Sequence, residues 1–237
     1  MKKVKLAVVG VGNCASSLIQ GIEYYKHHHN EHSDGIMQPN INGWRPQDIA
    51  IVAAFDVDKR KVGLPIEKAI FAEPNCTTVF QKFIPVNGVR VKMGQLLDGV
   101  ADHMAEYPNS QSFRVAQEDP VNVVEELKSS GAEVLVCYLP VGSQKAVEFY
   151  ANACLQAKVA MVNCVPVFIA SDKKWANNFT QAGVPIIGDD IKSQVGATIV
   201  HRVLARLFND RGCKISRTYQ LNGLLKYYAF NFLPPLI

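Results

Sequence analysis

A short turn near the start of the chain has the residue types that bind a phosphate group. The turn spans Gly10–Ala15 and follows the apolar, β-rich run Val4–Val9. Gly10 permits a tight turn, Gly12 lets the backbone approach a phosphate, and Ala15 is small enough for close packing of helix on strand. Exposed N–H groups and the dipole at the helix start favour a pyrophosphate. The turn therefore predicts a dinucleotide-binding βαβ unit.

A carboxylate follows the second apolar run. Residues 49–55 are predicted to form a strand that ends at Asp56, where a carboxylate can accept hydrogen bonds from a ribose diol and favour NAD over NADP. Asp58 is the nearby alternative. The spacing from the glycines is about twice the usual ~20 residues, and a polar inserted loop over residues 26–48 accounts for the excess. The loop contains His27–His29, but adjacent residues do not share a helix face, so no metal site is predicted.

Three further strand ends are expected at the same edge of the sheet, where open α/β folds bind ligands. They are followed by residues 138–143, 163–166 and 188–193. The last segment contains Asp189, Asp190 and Lys192. A lysine there could polarise a carbonyl or neutralise a phosphate, and a neighbouring carboxylate could relay protons. The alternative is an ion pair at the surface.

The rest of the chain predicts an α/β protein with a Rossmann-like, doubly wound parallel sheet, because strands alternate with helices. The net charge of +4 comes without a Lys/Arg run, which disfavours nucleic-acid binding, and the six cysteines are scattered, which favours reduced thiols in a cytoplasm. No apolar run reaches the ~18 residues of a membrane span. We expect strands at 4–9, 49–55, 88–94, 132–139, 159–164 and 184–187, and helices at 15–25, 62–71, 120–128 (with Asp119 as N-cap), 144–157, 173–182 and 196–211.

Together these motifs resemble myo-inositol-1-phosphate synthase, in its shorter bacterial and archaeal form. The resemblance covers residues 1 to 222. It rests on the following segments: Val9–Ser17, Gly21–Tyr25, Ala53–Asp58, Lys61–Gly63, Ala69–Ala72, Tyr138–Ser143, Pro166–Asp172, Gly188–Thr198 and Arg217–Asn222.

The resemblance implies conversion of glucose 6-phosphate to myo-inositol phosphate, the first step of inositol and inositol-phospholipid synthesis. NAD would take a hydride from C5, an intramolecular aldol reaction would close the ring, and NADH would return the hydride. The family is homotetrameric. The expected catalytic residues are Lys192, Asp189 and Asp190. The expected cofactor contacts are Gly10, Gly12, Asn13, Cys14, Ala15, Asp56, Tyr138, Pro140, Asn163 and Asp189.

The chain departs from the family pattern after Asn222. The family continues into a second α/β region with further active-site lysines, whereas residues 223–237 are apolar and aromatic and resemble nothing in it. We therefore expect an NAD-binding domain over 1–213 and, over 214–237, the start of a truncated second domain with an aberrant tail. Residues 214–221 are expected to form a strand without sheet partners. Three functions are considered: a synthase by descent that is inactive alone, a catalytically silent NAD-binding module, and a sugar-phosphate dehydrogenase, which the resemblance disfavours.

Overall fold

The computed structural model describes residues 3–28, 35–100, 104, 106–109, 112–191 and 196–219. Its centre is a six-stranded sheet in the order β3-β2-β1-β4-β5-β6, and every neighbouring pair is parallel. This is the strand order of the doubly wound dinucleotide-binding folds, in which the order reverses between β1 and β4. The predicted fold class is therefore confirmed.

The elements follow one another as strand and helix along most of the chain. The strands are β1 (Val4–Val9), β2 (Ile49–Asp56), β3 (Val91–Met93), β4 (Val134–Cys137), β5 (Ala160–Asn163) and β6 (Ile186–Ile187). The helices are α1 (Asn13–His27), α2 (Ile66–Ala69), α3 (Val123–Ser129), α4 (Gln144–Ala157), α5 (Lys173–Ala182) and α6 (Ala197–Asp210), with a short 3-10 turn at Pro46–Asp48.

The central strands are apolar on both faces, because each face carries a layer of helices. Alternate residues of β1 enter two separate cores: Ala7 packs with side chains from α3, α4 and α5, whereas Val8 packs with side chains from α1 and α2. This arrangement explains why β1, β2 and β4 lack the polar alternation of a half-exposed strand. It also leaves the carboxyl ends of the strands as the accessible edge between the helix layers.

Local side-chain caps mark the N-termini of α3 and α5. Asp172 caps α5 by accepting from the N–H groups of the next turn, and α4 and α5 begin and end where the sequence predicts. The N-cap of α3 is Asn122, whose side chain accepts from Glu125 N. The expected cap at Asp119 is therefore wrong by three positions.

The predicted helix over 62–71 is mostly absent, because α2 is a single turn of four residues. The residues before it pair with the segment that enters β3: Gly63 N donates to Val91 O and Ile66 N donates to Val89 O, both at 2.9 Å or less. Backbone groups satisfied in this way are not available to a longer helix.

The predicted insertion contains ordered structure in its described part. Helix α1 continues to His27, and Ile41 and Trp44 form an antiparallel bridge ahead of the 3-10 turn. His29 lies outside the described residues. In its described residues, the insertion separates α1 from β2 and contributes no strand to the sheet.

The chain divides into two compact units between Asp190 and Ile191, whereas the sequence places its boundary at 213/214. In the residues that the structure describes, the second unit contains α6 and the segment 211–219 that follows it. Residues 214–219 are exposed and are assigned to neither helix nor strand, and residues 220 and 221 of the expected strand lie outside the described residues. Within the described residues, no helix has both the length and the apolarity needed to cross a membrane.

Candidate functional site

The glycine turn lies at the carboxyl end of β1, and its two glycines have different structural roles. Gly10 has φ +85°, and a Cβ built on it would lie 2.6 Å from Tyr138 O. Gly12 is the N-cap of α1 with φ −101°, and a Cβ there would meet nothing within 4 Å. Gly10 is therefore required by the fold itself, whereas Gly12 faces open space at the helix N-terminus. A pyrophosphate fits such a space, because only glycine keeps it clear.

Asp56, at the end of β2, is hydrogen-bonded to the glycine turn. Its Oδ2 accepts from Val11 N at 2.7 Å, and its Oδ1 accepts from Val57 N at 2.7 Å and Asp58 N at 2.9 Å. Lys61 Nζ lies 3.7 Å from Oδ2 and is almost fully buried. The protein thus takes three of the roughly four acceptor positions of a carboxylate. The remaining position on Oδ2 is suited to one ribose hydroxyl.

The alternative residue Asp58 is committed to the fold. It is 1% exposed, and Arg60 binds it through Nε at 3.0 Å to Oδ1 and Nη2 at 2.8 Å to Oδ2. This two-point pairing is the strongest geometry open to an arginine and a carboxylate. Asp58 accepts three hydrogen bonds, as Asp56 does, but its side chain is 2% exposed against 11% for Asp56, so Asp56 is the more accessible of the two carboxylates.

Asn13 and Cys14 open α1 beside the turn, and both are exposed. Asn13 Oδ1 accepts from Cys76 N, and its carbonyl accepts from Thr77 Oγ1, both at 2.9 Å. The side chain of Asn13 therefore holds a loop next to the helix start. Ala15 lies in the first turn of α1 and is fully buried against the sheet, as close helix–strand packing requires.

The segment after β4 approaches the turn from the other side of the switch point. Tyr138 N donates to Val9 O at 2.8 Å, and burial raises the pKa of the Tyr138 hydroxyl, with the Cys164 and Cys14 thiols adding to the rise. Pro140 is exposed, and its carbonyl accepts from Ser143 Oγ at 2.5 Å. The Tyr138 hydroxyl therefore stays protonated at neutral pH, so it can donate a hydrogen bond but does not act as a base.

The N-terminus of α4 is capped by a residue that the sequence reasoning missed. Asp98 Oδ2 accepts from Lys145 N at 2.7 Å, and Oδ1 accepts from Ala146 N at 3.0 Å. Ser143 stands at the N-cap position but makes no capping bond. A carboxylate of the protein thus occupies this helix N-terminus, so a ligand phosphate must bind elsewhere. No local pattern reveals this cap, because 47 positions separate Asp98 from Lys145.

Asp189, after β6, accepts from a set of converging donors. Its Oδ1 accepts from Asn163 Nδ2 at 2.7 Å and Ala170 N at 3.0 Å, and its Oδ2 accepts from Ile169 N and Ser171 N at 3.0 Å. Partial burial alone would raise the pKa of this carboxyl, but the hydrogen bonds from Asn163 and these N–H groups outweigh it and lower the pKa. The carboxylate is therefore ionised at neutral pH, with both oxygens engaged.

Asn163 is the buried partner in this arrangement. It is 1% exposed, and its Nδ2 also donates to Val167 O at 2.7 Å. A Cβ on Gly188 would lie 2.9 Å from Asn163 O, so the two strand ends touch. Asn163 and Asp189 thus tie the loop 164–171 to the end of β6. These contacts favour a positioning role for both residues.

Asp190 ends the first unit with φ +73°, and its N–H donates to Val165 O at 3.2 Å. Burial raises the pKa of the nearby Cys164 thiol to about 11, and Cys14 and Asp190 add to the rise. The thiol is protonated at neutral pH, so thiolate chemistry is not favoured here. Lys192 lies outside the described residues.

The structure thus brings most of the predicted site residues to one edge of the sheet. The glycine turn, Asp56 and the segment after β4 surround the switch point between β1 and β4, and Asn163, Asp189 and Asp190 follow along the same edge. Among the described residues, no group of three or more His, Cys, Asp or Glu is placed to hold a metal ion. The sequence assigns no site role to Asp98 or to Lys61. The burial of Lys61 beside two carboxylates cannot be inferred from the residue type alone.

Comparison with known proteins identifies relatives of this chain. The chain is 50% identical over 221 residues to inositol-3-phosphate synthase from Mycolicibacterium smegmatis (strain ATCC 700084 / mc(2)155). It is 50% identical over 220 residues to the protein of the same name from Corynebacterium glutamicum (strain ATCC 13032). The chain is homologous to inositol-3-phosphate synthases. The resemblance predicted from the motifs is therefore confirmed. No protein-family model matches the chain.

The homology spans most of this chain but only part of its relatives. It covers 93% of this chain and 59% of the M. smegmatis synthase. The solved structure of Ari2 has a TM-score of 0.75 at 40% identity, over 89% of this chain and 61% of that one. A myo-inositol-1-phosphate synthase-related protein from Thermotoga maritima shares the fold, with a TM-score of 0.63 at 18% identity. It is likewise matched over 89% of this chain and 60% of its own.

Proposed function

We propose that this chain binds NAD at the carboxyl edge of its sheet and serves the isomerisation of glucose 6-phosphate to myo-inositol phosphate. The observation that carries the proposal is the open space at Gly12, at the N-terminus of α1, beside a turn that Gly10 fixes. Bound NAD supplies a reversible hydride acceptor, which suits a reaction without net oxidation. Homology to inositol-3-phosphate synthases supports the choice of reaction.

The residues of this chain would act mainly by binding and positioning. The turn N–H groups and the helix dipole would hold the pyrophosphate. Asp56 would accept from one ribose hydroxyl through Oδ2, and its negative charge would disfavour the 2′-phosphate of NADP. Asp189 and Asn163 would hold the loop 164–171 against Asp190.

Lys192 is our proposed catalytic cation. A positive charge at that position would stabilise the oxygen of a developing enolate, which is the form of electrostatic assistance that works best away from water. Asp190 would lie near the substrate and nicotinamide. We further propose that residues 1–213 form the NAD-binding domain and that the protein works in a cytoplasm. None of the six cysteines forms a disulfide, which agrees with a reducing compartment.

The cofactor assignment is tested by calorimetric titration of NAD into three purified proteins. Wild type should bind, and Gly12→Val should lose binding because its side chain fills the space that a pyrophosphate needs. Gly21→Ala is the matched control, since a Cβ there makes only an ordinary 3.9 Å contact with Tyr25. Equal NAD affinity in Gly12→Val and wild type would refute the assignment.

A catalytically silent NAD-binding module is the second candidate. The aligned region is only 59% of the M. smegmatis synthase, so this chain corresponds to part of that protein. We expect the 237-residue chain alone to bind NAD and to form little or no inositol phosphate from glucose 6-phosphate. Robust turnover by the purified chain would exclude the silent module and our expectation together.

A further inference from the structure

A buried lysine lies beside the carboxylate that is proposed to bind the ribose. Lys61 is 8% exposed, although lysine is among the residue types that are least often buried. The turn after β2 fixes its place, because Lys61 N and Val62 N both donate to Asp58 O at 2.9 Å. Its Nζ lies 3.7 Å from Asp56 Oδ2. A cation is thus buried at the edge of the proposed cofactor site.

The ammonium of Lys61 is loosely paired. Among the described residues, its contacts with carboxylates are Asp56 Oδ2 at 3.7 Å and Asp58 Oδ2 at 3.9 Å. Both distances exceed the roughly 2.7–3.2 Å of an N–H···O hydrogen bond, whereas a lysine ammonium has several N–H groups to donate. Burial of an ammonium without close acceptors is unfavourable, so an acceptor that a ligand supplies would stabilise it.

The charges around Lys61 leave Asp56 as its counter-ion. Asp58 is paired at two points with Arg60, at 3.0 and 2.8 Å, and its side chain is 2% exposed. The side chains of Lys61 and Asp56 keep 10% and 11% of their surface exposed. Arg60 and Asp58 therefore satisfy each other, whereas Lys61 and Asp56 are partly open and only loosely paired.

A ribose diol needs more hydrogen-bond partners than Asp56 provides. The diol carries two hydroxyls, and N–H groups of the protein already occupy three of the roughly four acceptor positions of Asp56. Asp56 can therefore accept from one hydroxyl, through Oδ2. The adjacent hydroxyl is an acceptor as well as a donor. When the first hydroxyl is bound at Oδ2, the second falls within reach of a donor that lies 3.7 Å from that atom.

We propose that Lys61 is a second ribose contact and a determinant of cofactor specificity. Its Nζ donates to one hydroxyl of the adenosine ribose of NAD while Asp56 Oδ2 accepts from the other. The ammonium would also pair with the 2′-phosphate of NADP, which the charge of Asp56 opposes. Removal of that charge should therefore turn Lys61 into a 2′-phosphate contact. The inference rests on the proposed function, because it concerns the same NAD site.

The test is calorimetric titration of the full 237-residue chain with NAD and with the analogues that lack the 2′- or the 3′-hydroxyl of the adenosine ribose. In wild type each analogue should bind about tenfold more weakly than NAD, the usual loss for one hydrogen bond to a charged group. In Lys61→Met, NAD itself should bind about tenfold more weakly, and one of the two analogues should show no further loss. Lys68→Met is the matched control, because Lys68 is an exposed lysine of α2, and it should bind all three ligands as wild type does.

Titration with NADP provides a second test that does not depend on the folding of Lys61→Met. Asp56→Asn keeps Lys61 but lacks the opposing charge, so it should bind NADP at least about tenfold more tightly than wild type does. The double variant Asp56→Asn/Lys61→Met should lose this gain. Urea unfolding shows which of the variants are folded.

Three results would overturn the proposal. These are wild-type NAD affinity in Lys61→Met, a Lys61→Met protein in which both analogues still bind more weakly than NAD, and an Asp56→Asn protein without increased NADP affinity. The second result would show that Lys61 has only a structural role. Wild type that binds no NAD would refute the proposed function and this inference with it, whereas failure in the variants alone would leave the NAD site in place.

Discussion

Gly10 and Gly12 should respond differently to the same substitution, although they lie only two positions apart. In Gly10→Ala the new Cβ meets Tyr138 O at 2.6 Å and Tyr138 C at 2.7 Å, and both are backbone atoms of the segment that follows β4. The residue also has φ +85°, which costs a non-glycine residue about 1–2 kcal/mol. Overpacking against rigid backbone adds about 1–3 kcal/mol. We therefore expect Gly10→Ala to lower the free energy of unfolding by about 2–5 kcal/mol.

Gly12→Ala should leave the fold nearly unchanged. Its Cβ meets no atom within 4 Å, and φ −101° is allowed for any residue. The expected cost is the weaker N-cap preference of alanine, about 0.5–1 kcal/mol. Gly12→Ala should instead lower the affinity for NAD.

Urea unfolding followed by circular dichroism measures both free energies, and NAD titration measures the affinity. Gly21→Ala serves as the reference, because alanine in a helix interior is favoured over glycine by about 1 kcal/mol. The reasoning fails if the free energy of unfolding of Gly10→Ala lies within about 0.5 kcal/mol of the wild-type value. It also fails if Gly12→Ala is destabilised as much as Gly10→Ala, since the open space at Gly12 would then not exist.

Three carboxylates carry the remaining predictions. Asp189→Asn should destabilise the fold by about 3 kcal/mol at neutral pH, because charge-assisted hydrogen bonds are lost. The folded-state pKa of Asp189 is lowered, so the wild-type advantage should hold above about pH 5, shrink as the pH falls through 4 towards the folded pKa, and be absent at lower pH; a pH-independent difference in urea unfolding would contradict this. Asp98→Ala should cost about 1–2 kcal/mol by uncapping α4, and unchanged thermal unfolding would argue against the cap. Asp56→Asn should weaken NAD binding roughly 10- to 100-fold, and an unchanged titration would remove Asp56 from the site.

Sequence reasoning succeeded where the signal is local. The helices α4 and α5 have the predicted bounds, and α5 is closed by Gly183 in the left-handed region, the residue type that this position favours. The glycine turn is predictable for the same reason, since strand, turn and helix are consecutive. The doubly wound fold follows from the alternation of such local elements.

Features that depend on distant pairing could not be predicted. Gly63 N and Ile66 N donate to Val91 O and Val89 O, at and just before the start of β3, so α2 is one turn and not the helix that its composition favours. Asn163 is expected to contact the cofactor, and the sequence does not show that its amide donates to Asp189, 26 positions away. The partner of a polar side chain depends on the fold, whereas its type alone indicates only that it needs one.

The reversal of strand order between β1 and β4 also constrains how the chain folds during synthesis. Strand β1 pairs with β2 on one side and with β4 on the other, and 128 positions separate Lys5 from its partner Glu133 at the β4 side. At a translation rate of about 5–20 residues per second, β1 waits roughly 6–25 s for that second neighbour. The backbone edge of β1 that later pairs with β4 has no partner strand throughout that interval. The nascent first half is therefore the species on which a ribosome-associated chaperone would act.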